Sequence, residues 1–138
     1  MTWLLDTNVL SELRKGARCD PNLRRWVSEV DPEAMFTSVL VLGEIRRGID
    51  RLRHRDAVQA RLLSEWHHRV RLAFAGRVLE INEAVAETWG ALDSKTPRPV
   101  IDALLAATAL VYGLTLVTRN HRDVRGTGAK VFDPFHAR

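Results

Sequence analysis

Short apolar runs that alternate with segments of helical spacing predict an α/β fold, a three-layer α/β/α domain around a mostly parallel sheet of four to five strands. Two further observations agree. The chain has 138 residues, 46% hydrophobic and 28% charged, which is the size and composition of one globular core, so residues 1–138 are read as a single domain. Asp20-Pro21, Asp31-Pro32, Pro97, Pro99 and Gly113 punctuate the periodic segments at their ends.

Trp3-Leu4-Leu5 is the first strand and stops at Asp6; Thr7 to Arg14 follows with helical spacing at Val9, Leu10 and Leu13. Asp20-Pro21 opens a helix in which Leu23, Trp26, Val27 and Val30 recur at i, i+3, i+4 and i+7, and Asp31-Pro32 ends it. Met35-Phe36-Thr37 reads as a second strand, with Ser38 capping a helix that runs through Ile45 and Ile49 to about Leu52. From Ala57 to about Phe74 the positions Val58, Leu62, Trp66 and Val70 advance by four, an amphipathic helix hairpinned on its predecessor. Residues 77–81 give a third strand, and Asn82 caps a helix containing Val85, Trp89 and Leu92 that ends before Pro97. The helix from Val100 to Tyr112 is apolar on nearly every face and is therefore central; Gly113 closes it. Leu114 to Thr118 is a fourth strand of buried type, and Lys130-Val131-Phe132 a fifth at the sheet edge. Trp26, Trp66 and Trp89 lie on apolar stripes and are assigned to the core.

Lys and Arg number 21 against 17 Asp and Glu, a net charge of +4, with a pI near 10.0. That balance favours an acidic partner such as RNA or DNA. One cysteine, Cys19, cannot form an internal disulfide and reads as a loop bystander; it fits a reducing, cytoplasmic location. The uncharged stretch from Ala103 to Thr118 falls short of a membrane span, and the first residues lack the basic start of a signal peptide. No Cys/His pair has zinc spacing; His67-His68 reads as a helix-surface pair, and His54, His121 and His136 show no metal spacing either.

Carboxylates occupy places that an apolar pattern does not want. In an open parallel sheet, ligands bind outside the carboxyl ends of the strands. Asp6 ends the first strand, Thr118-Arg119-Asn120 ends the fourth, and Asp123 follows three residues on. Glu44 has Leu40, Val41 and Gly48 as same-face neighbours, and Asp102 lies in the first turn of the most apolar helix. Each has an ordinary reading: Asp6 as a helix cap, Asn120 as a turn residue, Glu44 paired with Arg47, Asp102 favoured by the helix dipole. Converging on one crevice, they would repel one another unless a cation sat among them. Hard oxygen ligands of this kind suit Mg²⁺ or Mn²⁺.

The stretches LLDTNVLSEL (4–13), GEIRRG (43–48), PVIDALLAATAL (99–110), LVTRNHRDV (116–124) and VFDPF (131–135), in this order, resemble the motifs of the PIN-domain ribonucleases. The likeness is to VapC-type toxins of bacterial toxin–antitoxin pairs, FitB-like subgroup. The resemblance implies an α/β/α fold, a Mg²⁺- or Mn²⁺-dependent endoribonuclease, a homodimer, and a cognate antitoxin that inhibits it by forming a hetero-oligomer. It implies Asp6 and Asp102 as principal metal ligands, and Glu44 as a third acid that binds metal through water or positions the nucleophile. Asn120 stands where many relatives have Asp, which puts a tightly held second metal in doubt, and Asp123 is the candidate for the missing charge. Thr7, Asn8 and Thr118 are the supporting polar neighbours.

Positive charge is uneven: residues 46–77 hold nine Arg against three acids, a net of +6, which leaves −2 for the rest. This hairpin is a candidate RNA-backbone surface, with Arg46 and Arg47 nearest Glu44, although Arg outnumbers Lys 18 to 3 throughout and a codon bias explains that equally well. Together with His136-Ala137-Arg138, the stretch from Arg46 to Arg55 is also a candidate surface for an acidic antitoxin segment. Two rival readings stand beside RNA cleavage: a binding module that has lost its chemistry, motivated by Asn120, and a phosphohydrolase with Asp6 as covalent nucleophile. The second lacks support, because Asn8 replaces the acid wanted two residues on.

Overall fold

The computed structural model describes residues 1–136, so Ala137 and Arg138 of the expected basic C-terminal surface lie outside the described residues. Five strands, β1 (Trp3–Leu5), β2 (Met35–Ser38), β3 (Val78–Leu79), β4 (Thr115–Val117) and β5 (Val131–Phe132), form one sheet in the order β3-β2-β1-β4-β5. Every pairing is parallel. Six α-helices connect them: α1 (Thr7–Leu13), α2 (Pro21–Glu29), α3 (Val39–Arg53), α4 (Ala57–Ala73), α5 (Glu83–Lys95) and α6 (Val100–Tyr112). α3 packs on α4 as the expected hairpin, α1 touches α2 and α3, and α5 packs on α6, giving the predicted α/β/α arrangement.

The expected caps Asp20, Ser38 and Asn82 are in place, each side chain accepting a backbone N–H in the first turn of α2, α3 and α5, and Asp56 does the same for α4. Gly113 ends α6 at φ +69°, a left-handed conformation that costs glycine little. Strand β3 covers two residues where the sequence predicts five. It pairs with Thr37 and Ser38, and β2 stops there because Ser38 turns away to cap α3; beyond Leu79 the edge has no partner.

The core runs through Leu4 and Leu5 of β1, Leu116 and Val117 of β4, Leu23 and Trp26 of α2, and Leu105 and Ala106 of α6, all at most 2% exposed. Trp26 packs edge-on to Trp3 at 5.1 Å and against Phe132 at 5.4 Å. Trp66 is buried as expected. Trp89 is only half-buried, and among the described residues its indole N–H is a buried donor without an acceptor. Cys19 lies in a loop but is no bystander, since it packs into the core and burial pushes its thiol up. Among the described residues no helix is long and apolar enough to cross a membrane.

The strand order sets the location of the site. From β1 the chain moves to β2 on one side and later returns to β4 on the other, so the strand order reverses between β1 and β4 while all strands stay parallel. A crevice opens beyond the carboxyl ends of strands at such a point.

Candidate active site

Asp6 follows the last residue of β1, and the register Leu5↔Val117 brings Thr118 beside it across the switch point. Its side chain is 4% exposed. One carboxylate oxygen caps α1 by accepting the Thr7 N–H at 2.6 Å; the other accepts the Thr118 hydroxyl at 2.7 Å and the Asn8 amide at 3.3 Å. Capping and placement in the crevice are thus two roles of one residue. Asn8 also donates to Thr118 Oγ1 at 3.1 Å, while its carbonyl oxygen accepts the Arg119 N–H at 3.1 Å, tying α1 to the chain leaving β4. Despite these donors, burial pushes the Asp6 carboxyl above the ordinary range, and the Glu44 charge adds to the shift.

Glu44 reaches the crevice from the second turn of α3. It accepts the Thr7 hydroxyl at 2.5 Å and pairs with Arg47 at 3.8 Å, so the expected i, i+3 pair exists and does not remove Glu44 from the site. Arg46 turns instead to Asp50, at 3.1 Å. The two arginines named together by the sequence are therefore separated: Arg47 borders the crevice and Arg46 belongs to an exposed ion pair.

Asp102 stands in the first turn of α6, whose start carries no side-chain cap. Burial, followed by the charges of Asp6, Asp123 and Glu44, pushes its carboxyl up to about 6. The helix dipole alone would lower it, so burial and the crowd of carboxylates outweigh the dipole. Three acids from three other chain segments thus bear on Asp102. Asn120 adds no charge; its backbone N–H donates to Thr118 Oγ1 at 3.0 Å, and it is exposed. Asp123 follows in a 3₁₀ turn (His121–Val124) and supplies a charge from that segment.

These oxygens fit a hard divalent cation in charge and chemistry. Among the described residues, no three Asp, Glu, His or Cys side chains form a group able to hold a metal by themselves. Mg²⁺ is commonly held by one or two carboxylates, the remaining positions going to water and substrate oxygens. The residues present match that pattern better than a closed protein cage.

One participant goes unmarked by the sequence pattern. Glu12, on the same helix as Thr7 and Asn8, is 9% exposed, bonded to Lys15 at 2.9 Å and the Asp20 N–H at 2.9 Å, and paired with Arg119 at 3.8 Å. The Lys15 ammonium and the Asp20 N–H hold its carboxyl below the usual carboxylate range. The i, i+3 spacing to Lys15 is a visible signal; the reach to Arg119 requires the fold. Arg119 in turn covers the Phe135 ring, its guanidinium carbon 3.8 Å from the centroid. His67 bonds the Leu42 carbonyl at 3.2 Å across the α3–α4 hairpin, while His121 and His136 both face Asp133.

The PIN domain family model matches residues 3–127. The toxin FitB of Neisseria gonorrhoeae is 32% identical, over 96% of this chain and 98% of that protein. The VapC ribonuclease Y4jK of Sinorhizobium fredii is 31% identical, over 96% of both chains. In the crystal structure of FitAcB from N. gonorrhoeae, one chain superposes on this fold with a TM-score of 0.86 at 27% identity, covering 99% of this chain and all of that one.

Proposed function

Because the chain belongs to the PIN-domain family, we propose that it is a Mg²⁺- or Mn²⁺-dependent endoribonuclease toxin, neutralised by a cognate antitoxin. The observation that carries the reading is the raised Asp102 carboxyl: three other acids bear on it, an arrangement that a bound cation would relieve. Relatives about 31–32% identical over nearly their whole length include a protein named as a ribonuclease and one named as a toxin, and a solved structure described as a toxin–antitoxin complex shares the fold, which supports an antitoxin partner. An RNA substrate implies a cytoplasmic site of action.

Asp6 and Asp102 would hold the cation, with Glu44 and Asp123 at its margin. When bound, such an ion lowers the pKa of a water and offsets charge developing on the phosphate oxygens. Thr118 and Asn8 fix the orientation of Asp6, and Thr7 fixes Glu44, so that ligand geometry is set before substrate arrives. Glu44 would accept a proton or orient a water beside the scissile phosphate. Asn120 offers a neutral amide oxygen, which favours one firmly held ion over two.

The test is cleavage of RNA by purified protein with Mg²⁺ or Mn²⁺, set beside Asp102→Asn. Cleavage by the wild type and none by the variant is the expected result; RNA binding without metal-dependent turnover would favour the binding-module reading instead. Thr118→Val keeps every carboxylate but removes the hydroxyl that Asp6, Asn8 and Asn120 share, and should lower the cleavage rate about 10- to 100-fold with little change in melting temperature.

Metal binding should also depend on pH. Asp102 retains its proton up to about 6 in the folded protein and only to its ordinary 3.8 when unfolded. Lowering the pH through 6 therefore stabilises the metal-free fold relative to the unfolded chain while protons displace the ion. At pH 5 the apparent Mn²⁺ affinity should be about tenfold below its value at pH 7.5, measured by calorimetry. A flat profile would remove Asp102 from the ligand set.

A further inference from the structure

A cleft of about 480 Å³ opens at the far end of α1, between that helix and α4, away from the carboxylates. Arg14, Lys15 and Arg18 line it from one side and Arg69 from the other, against a single acid, Glu65, and a single large apolar side chain, Leu62. Lys15 is engaged by Glu12. Arg14 rests against the Trp66 ring, 5.8 Å from its centroid, which orients the guanidinium without neutralising it. Arg18 and Arg69 are exposed. The cleft is built of cations and is too polar to seat the apolar face of a helix.

Its position relative to the carboxylates suits one class of anion. Helix α1 carries Asp6 at its start and Arg14 just past its end. At 1.5 Å per residue the two lie about 12 Å apart along the axis. About four stacked nucleotides cover that distance at roughly 3.4 Å each. Between the ends, Arg119 of the chain leaving β4 reaches Glu12 of α1, and Lys15 at the cleft shares that carboxylate, so an ion-pair network links the crevice side to the cleft. We propose that this cleft is a backbone subsite for single-stranded RNA, gripping phosphates a few nucleotides from the bond cut at Asp6 and Asp102. The proposal rests on the ribonuclease reading of the site; guanidinium groups suit phosphate because they donate in a planar fork and stay charged.

The test is equilibrium binding of a single-stranded RNA of about ten nucleotides, in EDTA so that nothing is cut, for wild type, R14Q/R18Q, R18Q/R69Q and a charge-matched control, R25Q/K95Q. Both cleft variants should bind at least about tenfold more weakly at low salt, and the slope of log affinity against log salt should flatten by about 0.7 for each phosphate that the variant no longer grips. With Mg²⁺ restored, they should cut with raised KM and unchanged kcat. The second cleft variant leaves Arg14 against Trp66, so a folding defect in the first does not decide the matter. Cleft variants that match the control while the wild type still cuts RNA would overturn the subsite and leave the nuclease standing. Absence of both RNA binding and cleavage in the wild type would overturn both readings. Weakened binding of a polyglutamate peptide, with RNA binding unchanged, would reassign the cleft to an acidic protein partner and overturn the RNA subsite.

Discussion

Asp6→Asn should cut RNA at least about a thousandfold more slowly than wild type while melting no lower. The loss follows from removing a charged ligand: a bound cation contributes several kcal/mol to the transition state, and each 1.36 kcal/mol is about a factor of ten in rate. The stability follows from the surroundings of the carboxylate. Burial raises its pKa even though it accepts three hydrogen bonds, so in the metal-free protein the ionised form is held at a cost. Asn retains one oxygen, enough to cap α1 though not also to keep the Thr118 and Asn8 bonds of the second, and this loss is offset because it removes one charge from the group facing Asp102. Melting curves in EDTA and single-turnover cleavage with Mg²⁺ check the two halves. A variant that cuts normally would remove Asp6 from the chemistry; one that fails to fold would show that the charge itself is needed for capping.

Trp26→Ala should destabilise the fold by about 3–5 kcal/mol, a large part of the roughly 5–15 kcal/mol that holds a domain together. Trp26 is 2% exposed and joins α2 to both β1 and β5 through the Trp3 and Phe132 rings, so truncation leaves a cavity and breaks an edge-on aromatic pair. Trp89→Ala provides the contrast. That side chain is half-buried and its N–H has no acceptor among the described residues, so its removal should cost clearly less. Urea midpoints at equal m-value give the ordering, and equal losses at the two positions would contradict it.

Much of the fold is legible in the sequence because local rules and tertiary structure agree. Asp20-Pro21, Ser38 and Asn82 cap where capping chemistry puts them, and the helix that is apolar on nearly every face is α6, buried along its middle from Ala103 to Ala109 while Val100, Leu110 and Tyr112 stay exposed. The third strand is shorter than its residues suggest because its end is decided by its partner, which turns into α3 at Ser38. Trp89 and Cys19 depart from expectation for a related reason. A periodic stripe or a polar neighbourhood describes one element, whereas burial depends on what packs against it.

The site divides in the same way. Asp6, Glu44 and Asp102 stand out in the sequence because each is a charge set in or beside an apolar pattern, and a carboxylate there requires compensation. That they act on one another, that Asp123, the sequence's candidate for the fourth charge, bears on Asp102, and that Arg47 borders the crevice while Arg46 turns to Asp50 are decided by the tertiary structure. So is the link from Glu12 to Arg119, more than a hundred residues away along the chain. Element type follows from side-chain pattern and capping over a few neighbouring residues, which the sequence carries locally. Electrostatic coupling falls with distance in space, and only the parallel pairing of β1 with both β2 and β4, together with the packing of α6 on β4, brings these distant segments within its range.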